Sequence, residues 1–406
     1  TEDGRSINLV QVNNEVIDNK IEEASKDTEA GLGNTIQIFS TDDDSQVVTF
    51  QLTGDMVKKL EENAFDVSVK SNGIEYTIPA REFTISNVAE TLKIREKDLK
   101  AIQVQVRISK LDDKSLESYR EVARENGAEL IFTPVSFQVV AKTTRADGSV
   151  EEVRIEKFSS YVKRVMEIPA GTDPSKISTG IVFNLDGTYS HVPTEVFLED
   201  GKWYARINSL TNSSYSVIWN PVTVESVASH WSKEVVNDMA SRLIIRDPEN
   251  FMPNENITRG EFAEYITRAL GISRAGVVEE KRFIDLEITH ELAYSIEIAT
   301  EYGIIKGYPD GTFKPDEQIS REEAMVMYSR AMDIAGLEEN DGDKINSYND
   351  RESIAEWAYE HARKTVNAGV FKGKTHETIN PKDTFTCAEA ATAIRNLLVA
   401  ADLINK

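Results

Sequence analysis

The sequence predicts a multidomain protein of mixed class, with antiparallel β-rich modules and short helices in the N-terminal half and a helical, threefold-repeated region in the C-terminal half. Three observations predict it. Through much of residues 47–222 apolar and polar residues alternate with a period of two. From Ser226 onward the apolar spacing turns helical. That later segment also repeats itself three times, which outweighs any single short motif.

The elements follow in order. Residues 1–45 are polar and acidic, with a short helix expected in NNEVIDNKIEEASK and a strand in NTIQIF ahead of STDDDS. They are expected to form an acidic extension or the end of a preceding domain. In residues 46–222, FDVSVKSNGIEYTI reads as a hairpin turning at Asn72-Gly73, because both central positions of a type I′ turn need a left-handed backbone. AIQVQVRI alternates likewise, FQVVAKTTRADGSVEEVRI turns at Asp147-Gly148, and EVFLEDGKWYARI turns at Asp200-Gly201. Two helices interrupt the strands, around GDMVKKLEENA and DDKSLESYREVARENG, the second stopped by Asn126-Gly127.

Residues 223–406 carry the repeats, at about 226–273, 283–337 and 348–403. Each is a helix, a stop, a loop, a proline and a second helix. Pro253, Pro315 and Pro381 stand five residues before Thr258, Ser320 and Thr386, and Glu261, Glu323 and Glu389 follow those hydroxyls by three. This is the capping box, in which the hydroxyl takes one free backbone N–H and the glutamate reaches back for another. The hydroxyl residues are 62 and then 66 positions apart. Because one repeat cannot bury its apolar helix faces alone, the three are expected to form one cooperative domain.

Charge narrows the function. A formal net charge of -23 argues against nucleic acid and against adhesion to anionic membranes, both of which need basic surface. No apolar run is long enough to span a bilayer, so membrane insertion is not expected. The first residues lack the pattern of a secretion signal, so the chain is expected to start after processing or inside a longer protein. One cysteine, Cys387, excludes an intramolecular disulfide framework, and five scattered histidines offer no helical metal pair. No cofactor is expected. Catalysis is not expected either, since 69 acidic residues always place some carboxylate pair suitably and no nucleophile elbow or phosphate-cradling loop is present.

Any anionic ligand must then be held by a few local cations. Arg259 and Arg321 occupy the first helical position after their caps, where a cation opposes the helix dipole by about 0.3–1 kcal/mol. Local stability does not explain them. An anion held by the helix N-terminus would, as would pairing with nearby acids. Aligning LIIRD, GIIKG and GVFKG puts Arg246, Lys306 and Lys372 at one loop position. Trp231 and Trp357 begin equivalent helices, where the second repeat has Glu291. Each indole can face a sugar ring or pack on its own bundle. Gly303 and Gly307 flank the loop of the second repeat.

His230-Trp231-Ser232, GIIKGYPDGTFKP, ITRGE and ISREE resemble the S-layer homology family over residues 226–403. The resemblance implies a pseudo-threefold, all-α trimer of motifs with grooves between lobes. It implies non-covalent anchoring at a Gram-positive cell surface through a pyruvylated secondary cell wall polysaccharide, with neighbouring surface-layer subunits as possible further partners. It assigns ligand contacts to Arg259, Arg321, Arg246, Lys306, Lys372, Trp231, Trp357, Gly303 and Gly307. Asp285 and Asp350 match the acidic residue ahead of each motif and complete that ligand set. Two departures make unequal grooves expected: Leu243 and Asp247 replace the glycines of the first repeat, and Cys387 stands where an arginine belongs. The β-rich region is similar to modules that precede such motifs, implying a spacer or lattice role. Two alternatives stay open: that region is itself a carbohydrate- or protein-binding module, or the chain is the anchor of a larger surface glycoside hydrolase.

Overall fold

The computed structural model describes residues 5–26, 34–41, 45–111, 113–184, 186–274, 276–339 and 341–406. The acidic run at residues 42–44 lies outside them. The chain forms two compact units, each assembled from separate stretches: 1–124, 130–174 and 196–216 in one, and 125–129, 175–195 and 217–406 in the other.

The strands are β1 (Ile7–Gln11), β2 (Asn34–Phe39), β3 (Val47–Thr53), β4 (Phe65–Ser71), β5 (Ile74–Pro79), β6 (Gln103–Lys110), β7 (Glu129–Leu130), β8 (Val135–Thr144), β9 (Val150–Arg154), β10 (Lys157–Glu167), β11 (Thr179–Phe183), β12 (Tyr189–Val192), β13 (Thr194–Glu199), β14 (Lys202–Thr211) and β15 (Ser214–Trp219). The α-helices are α1 (Asn14–Lys26), α2 (Gly54–Glu62), α3 (Ile85–Thr91), α4 (Asp113–Glu125), α5 (Lys233–Ser241), α6 (Arg259–Ala269), α7 (Ala293–Glu301), α8 (Arg321–Ala335), α9 (Glu356–Asn367) and α10 (Cys387–Ala400).

In the first unit, one sheet runs β1-β3-β6-β8 with β9 beside β8, and a second runs β13-β14-β10-β5-β4-β2. The hairpins turn where alternation predicts, with Asn72 and Gly73 at φ 53 and 72 and Asp200 and Gly201 at φ 48 and 77. The described strands of residues 1–45 join the sheets of the β-rich region. β1 pairs in parallel with β3, and β2 pairs in parallel with β4, so both are edge strands of the sheets. Arg164 is fully buried between the sheets, its guanidinium 4.7 Å from the ring of Tyr76, 5.1 Å from that of Phe137 and 4.4 Å from that of Tyr215. Three π faces and the Thr211 carbonyl, 2.7 Å from Nη2, hold that cation in the core.

In the second unit, the β11–β12 hairpin accompanies the helices. The hairpin docks on the end of α6. Gly271 there has φ 65, and a Cβ on it would stand 2.7 Å from Pro193, so only glycine fits.

All three capping boxes form, with Thr258, Ser320 and Thr386 each accepting from the N–H three residues on. The repeats then close on one another. Ile257 N–H donates to Phe385 O, Phe385 N–H to Ile319 O, and Ile319 N–H to Ile257 O, at 2.9, 3.2 and 3.2 Å. The first helix of each repeat packs on the second helix of the preceding one: α7 on α6, α9 on α8, and α5 on α10. The rings of Phe262, Tyr328, Phe371 and Phe385 fill the space inside the ring of repeats, with Phe262 and Tyr328 edge to face at 4.9 Å.

Candidate functional site

The cyclic packing brings three repeats to each of two clefts. An arginine comes from the start of one second helix, a loop and helix face from the next repeat, and a tryptophan from the third.

One cleft, of about 480 Å³, is lined by Arg259, the loop from Ile305 to Pro309, the α8 residues Glu323, Val326, Met327 and Arg330, and Trp357. Arg259 is buried and donates from Nε to Phe313 O at 3.0 Å and from Nη1 to Glu323 Oε1 at 2.9 Å. Its guanidinium lies 4.7 Å from the centre of the Tyr308 ring. Nη2 makes no hydrogen bond among the described residues. Tyr308 donates to the same Glu323 oxygen at 2.8 Å, and burial followed by that bond pushes the phenol up to about 12. Burial alone would raise Glu323, but the Ser320 N–H, the Tyr308 hydroxyl and Arg259 outweigh it and hold it below its usual range.

A second cleft, of about 250 Å³, repeats the plan with Arg321, the loop from Val370 to Lys374, Glu389 on α10, and Trp231. Here the guanidinium is fully engaged. It donates from Nε to Ile379 O, from Nη1 to Glu389 Oε1 and from Nη2 to Lys372 O, at 2.9, 3.0 and 2.9 Å. Both tryptophans are exposed, Trp231 by 65% and Trp357 by 58%, which decides against packing into their own bundle. Lys306 and Lys372 are exposed and make no ion pair among the described residues.

The third position is built differently. Cys387 takes the place of the arginine, and burial, then Glu261 and Glu255, push its thiol up to about 12. Arg246, equivalent to the two loop lysines, is held by Glu264 at 3.5 Å and Glu291 at 3.2 Å. Glu291 occupies the position that is tryptophan in the other two repeats, so the residue that would face a sugar instead neutralises the cation.

Three sequence expectations change. The helix N-termini are not open to an anion: Arg321 N–H donates to Asp383 O, Glu322 N–H to Pro381 O, and Glu323 N–H to the cap, and α6 and α10 are occupied in the same way. Asp285 and Asp350 line neither cleft. Their carboxylates grip paired backbone N–H groups, Phe313 with Lys314 and Ile379 with Asn380, at 2.7–2.8 Å. Those same segments carry the carbonyls that Arg259 and Arg321 bind, so the aspartates position the arginines from behind. Gly303 lines neither of these two clefts; at φ 71 it ends α7. Gly307 does line the first cleft, and a Cβ there would stand 2.5 Å from the Phe283 ring.

The sequence reading missed Glu323 and Glu389 as groove residues, having explained them as caps, and also missed Arg330 and Tyr308. For the two glutamates the signal was the repeat itself, since each lies opposite the arginine of the preceding repeat.

The S-layer homology domain family matches residues 223–263, 283–325 and 347–391. The chain carries three S-layer homology domains. A cellulosome-anchoring protein of Acetivibrio thermocellus is 33% identical over 150 residues, which are 36% of this chain and 33% of that protein. A surface layer protein of Brevibacillus choshinensis is 34% identical over 85 residues, 20% of this chain and 8% of that protein. An amylopullulanase of Thermoanaerobacterium thermosulfurigenes is 27% identical over 278 residues, 68% of this chain but 14% of the enzyme. That match is too long for the S-layer homology domains alone, so part of the β-rich region is shared too. The chain spans a third or less of the length of each of these relatives. With surface-layer and cell wall proteins among them, the S-layer homology domains indicate a cell-surface or cell wall location. Among the described residues no helix is long and apolar enough to cross a membrane.

Proposed function

We propose that this chain anchors a surface protein non-covalently to the bacterial wall, its clefts gripping an anionic secondary cell wall polysaccharide whose pyruvyl ketal supplies the carboxylate. S-layer homology domains are non-catalytic anchors that bind cell wall polymers, which is the coarser part of this reading. One observation carries the finer part. In the first cleft a guanidinium with an open Nη2 and an unpaired lysine face an exposed indole, which suits a carboxylate fixed to a sugar ring. The β-rich unit serves as a spacer.

The test is binding of purified walls and of a pyruvylated N-acetylmannosamine ligand by the intact chain. Lys306→Ala and Trp357→Ala, both at exposed positions, are expected to weaken binding about tenfold each without changing the fold, as for loss of a charge-assisted contact or a stacking face. Equal binding of pyruvylated and unmodified polymer would remove the carboxylate from the mechanism.

A second reading, with the β-rich unit as a carbohydrate- or protein-binding module, draws on the exposed ring of Trp203 on β14 and, on the other face of that strand, the stacked rings of Phe197 and Tyr204, 5.6 Å apart. Loss of wall binding on Trp203→Ala would favour it over the spacer.

A further inference from the structure

The tenth residues of α6, α8 and α10 are Arg268, Arg330 and Asn396. They do one structural job. Arg268 donates to Leu243 O, Arg330 to Ile304 O at 3.2 Å, and Asn396 to Val370 O at 3.2 Å, each steadying the loop after a first helix. An amide is sufficient for that job, as Asn396 demonstrates, so the charge of Arg330 is surplus to it. Arg268 lies 3.9 Å from Glu264. Arg330 lines the first cleft and makes no ion pair among the described residues. In the second cleft the extra cation, Lys374, is paired with Asp383 at 3.1 Å.

At the end of the first cleft around Arg330, Lys306 is unpaired among the described residues, whereas Lys364 pairs with Asp333. His361 stands one turn along α9 from Trp357 and bonds Ser329 at 2.9 Å. Burial, then Arg330 and Lys364, hold its imidazole below its ordinary value, with Lys306 contributing and Asp333 opposing. Arg330 lies seven positions after Glu323, the partner of Arg259, so the backbones of the two residues are offset by about 10 Å along α8 at 1.5 Å per residue. Arg259 and Arg330 thus enter the same cleft from different elements.

We propose that the first cleft is a two-point anion site in which Arg330 receives a second anionic group, carried by a neighbouring residue of the same polymer, while Arg259 and Lys306 receive the ketal carboxylate. The second cleft, with Asn396 in the equivalent place, reads one anion. This rests on the wall-polymer reading above and adds that the two clefts prefer different stretches of the polymer: a doubly anionic one and a singly anionic one.

Titration calorimetry of the intact chain tests it with three probes: the pyruvylated monosaccharide, a short oligosaccharide with a second carboxylate, and the same oligosaccharide with a phosphate in its place. Arg330→Asn, which copies the natural residue of the other cleft, is expected to weaken the doubly anionic probes about tenfold more than it weakens the monosaccharide. The better of the two oligosaccharides identifies the second group. Asn396→Arg is expected to raise the affinity of the second cleft for the same probe. An equal loss for monosaccharide and oligosaccharide on Arg330→Asn, or no loss for either, would overturn the two-point site while leaving the anchoring reading intact. Failure of the wild-type chain to bind any of the probes would overturn both.

Discussion

Arg259 and Arg321 share one design but differ in what is left over. Both put a guanidinium against an aromatic ring, a backbone carbonyl and the cap glutamate of the next repeat. Burial lowers the pKa of Arg321 and Glu389 opposes that, so the pair is held together by partners and not by solvent. Removing the arginine strands a shielded carboxylate and two carbonyls. Arg321→Ala is therefore expected to destabilise the repeat unit by about 3 kcal/mol, read from urea unfolding, in addition to any loss of ligand. A stability change under about 0.5 kcal/mol would show that the ion pair does not hold the lobes. Cys387 has no comparable partner set. With its thiol pushed up to about 12, it is expected to resist alkylation at neutral pH in the folded chain and to react on unfolding.

The helix ends show how backbone and site depend on each other. Gly303 and Gly369 end their helices at φ 71 and 76, and Leu243 does so at φ 63, where a side chain costs about 1 kcal/mol. Since a Cβ on Gly303 meets nothing within 4 Å, Gly303→Ala isolates that backbone cost and is expected to lower stability by about 1 kcal/mol with binding retained. Gly307→Ala is expected to cost binding as well, because the Cβ collides with Phe283 and displaces the loop that carries Lys306 and Tyr308. Equal binding losses for the two variants would contradict this division. Elements whose signals are local were legible in the sequence: the Asn72-Gly73 hairpin, the capping boxes and the repeated loop cations. Elements that depend on distant partners were not. β1 and β2 pair in parallel across long connections, and the helix N-termini are filled by carbonyls from the next repeat, which spacing within one repeat cannot reveal. The unequal grooves were legible at Cys387, whereas the capture of Arg246 by Glu291 needed the ring of repeats to bring them together.

At the scale of the whole repeat unit, the closed ring of hydrogen bonds through Ile257, Ile319 and Phe385 makes each repeat depend on both others. One cooperative unfolding transition is expected for residues 217–406, and separate transitions for the repeats would contradict the closure. His191 contributes to its response to acid. It is buried against Thr179 at 2.7 Å and the Ala269 carbonyl at 3.3 Å, and burial, then Arg242, hold its pKa well below 6.5. The unfolded chain therefore binds this proton more readily than the folded one. Its contribution is complete above about pH 6.5 and is lost as pH falls from there toward the folded value, by at most about 1.4 kcal/mol per pH unit. His191→Gln is expected to flatten that part of the pH–stability curve, and an unchanged curve would remove His191 as its source.

Anchoring depends on how many grooves bind and on what they read. Isothermal titration of the intact chain with a pyruvylated N-acetylmannosamine ligand counts them directly. Two sites are expected, in the Arg259 and Arg321 clefts, with both lost on removing the pyruvyl group and neither affected by Cys387→Ala. Three equal sites, undiminished binding of the unmodified sugar, or loss of binding on Cys387→Ala with none at the Arg259 and Arg321 clefts would contradict it.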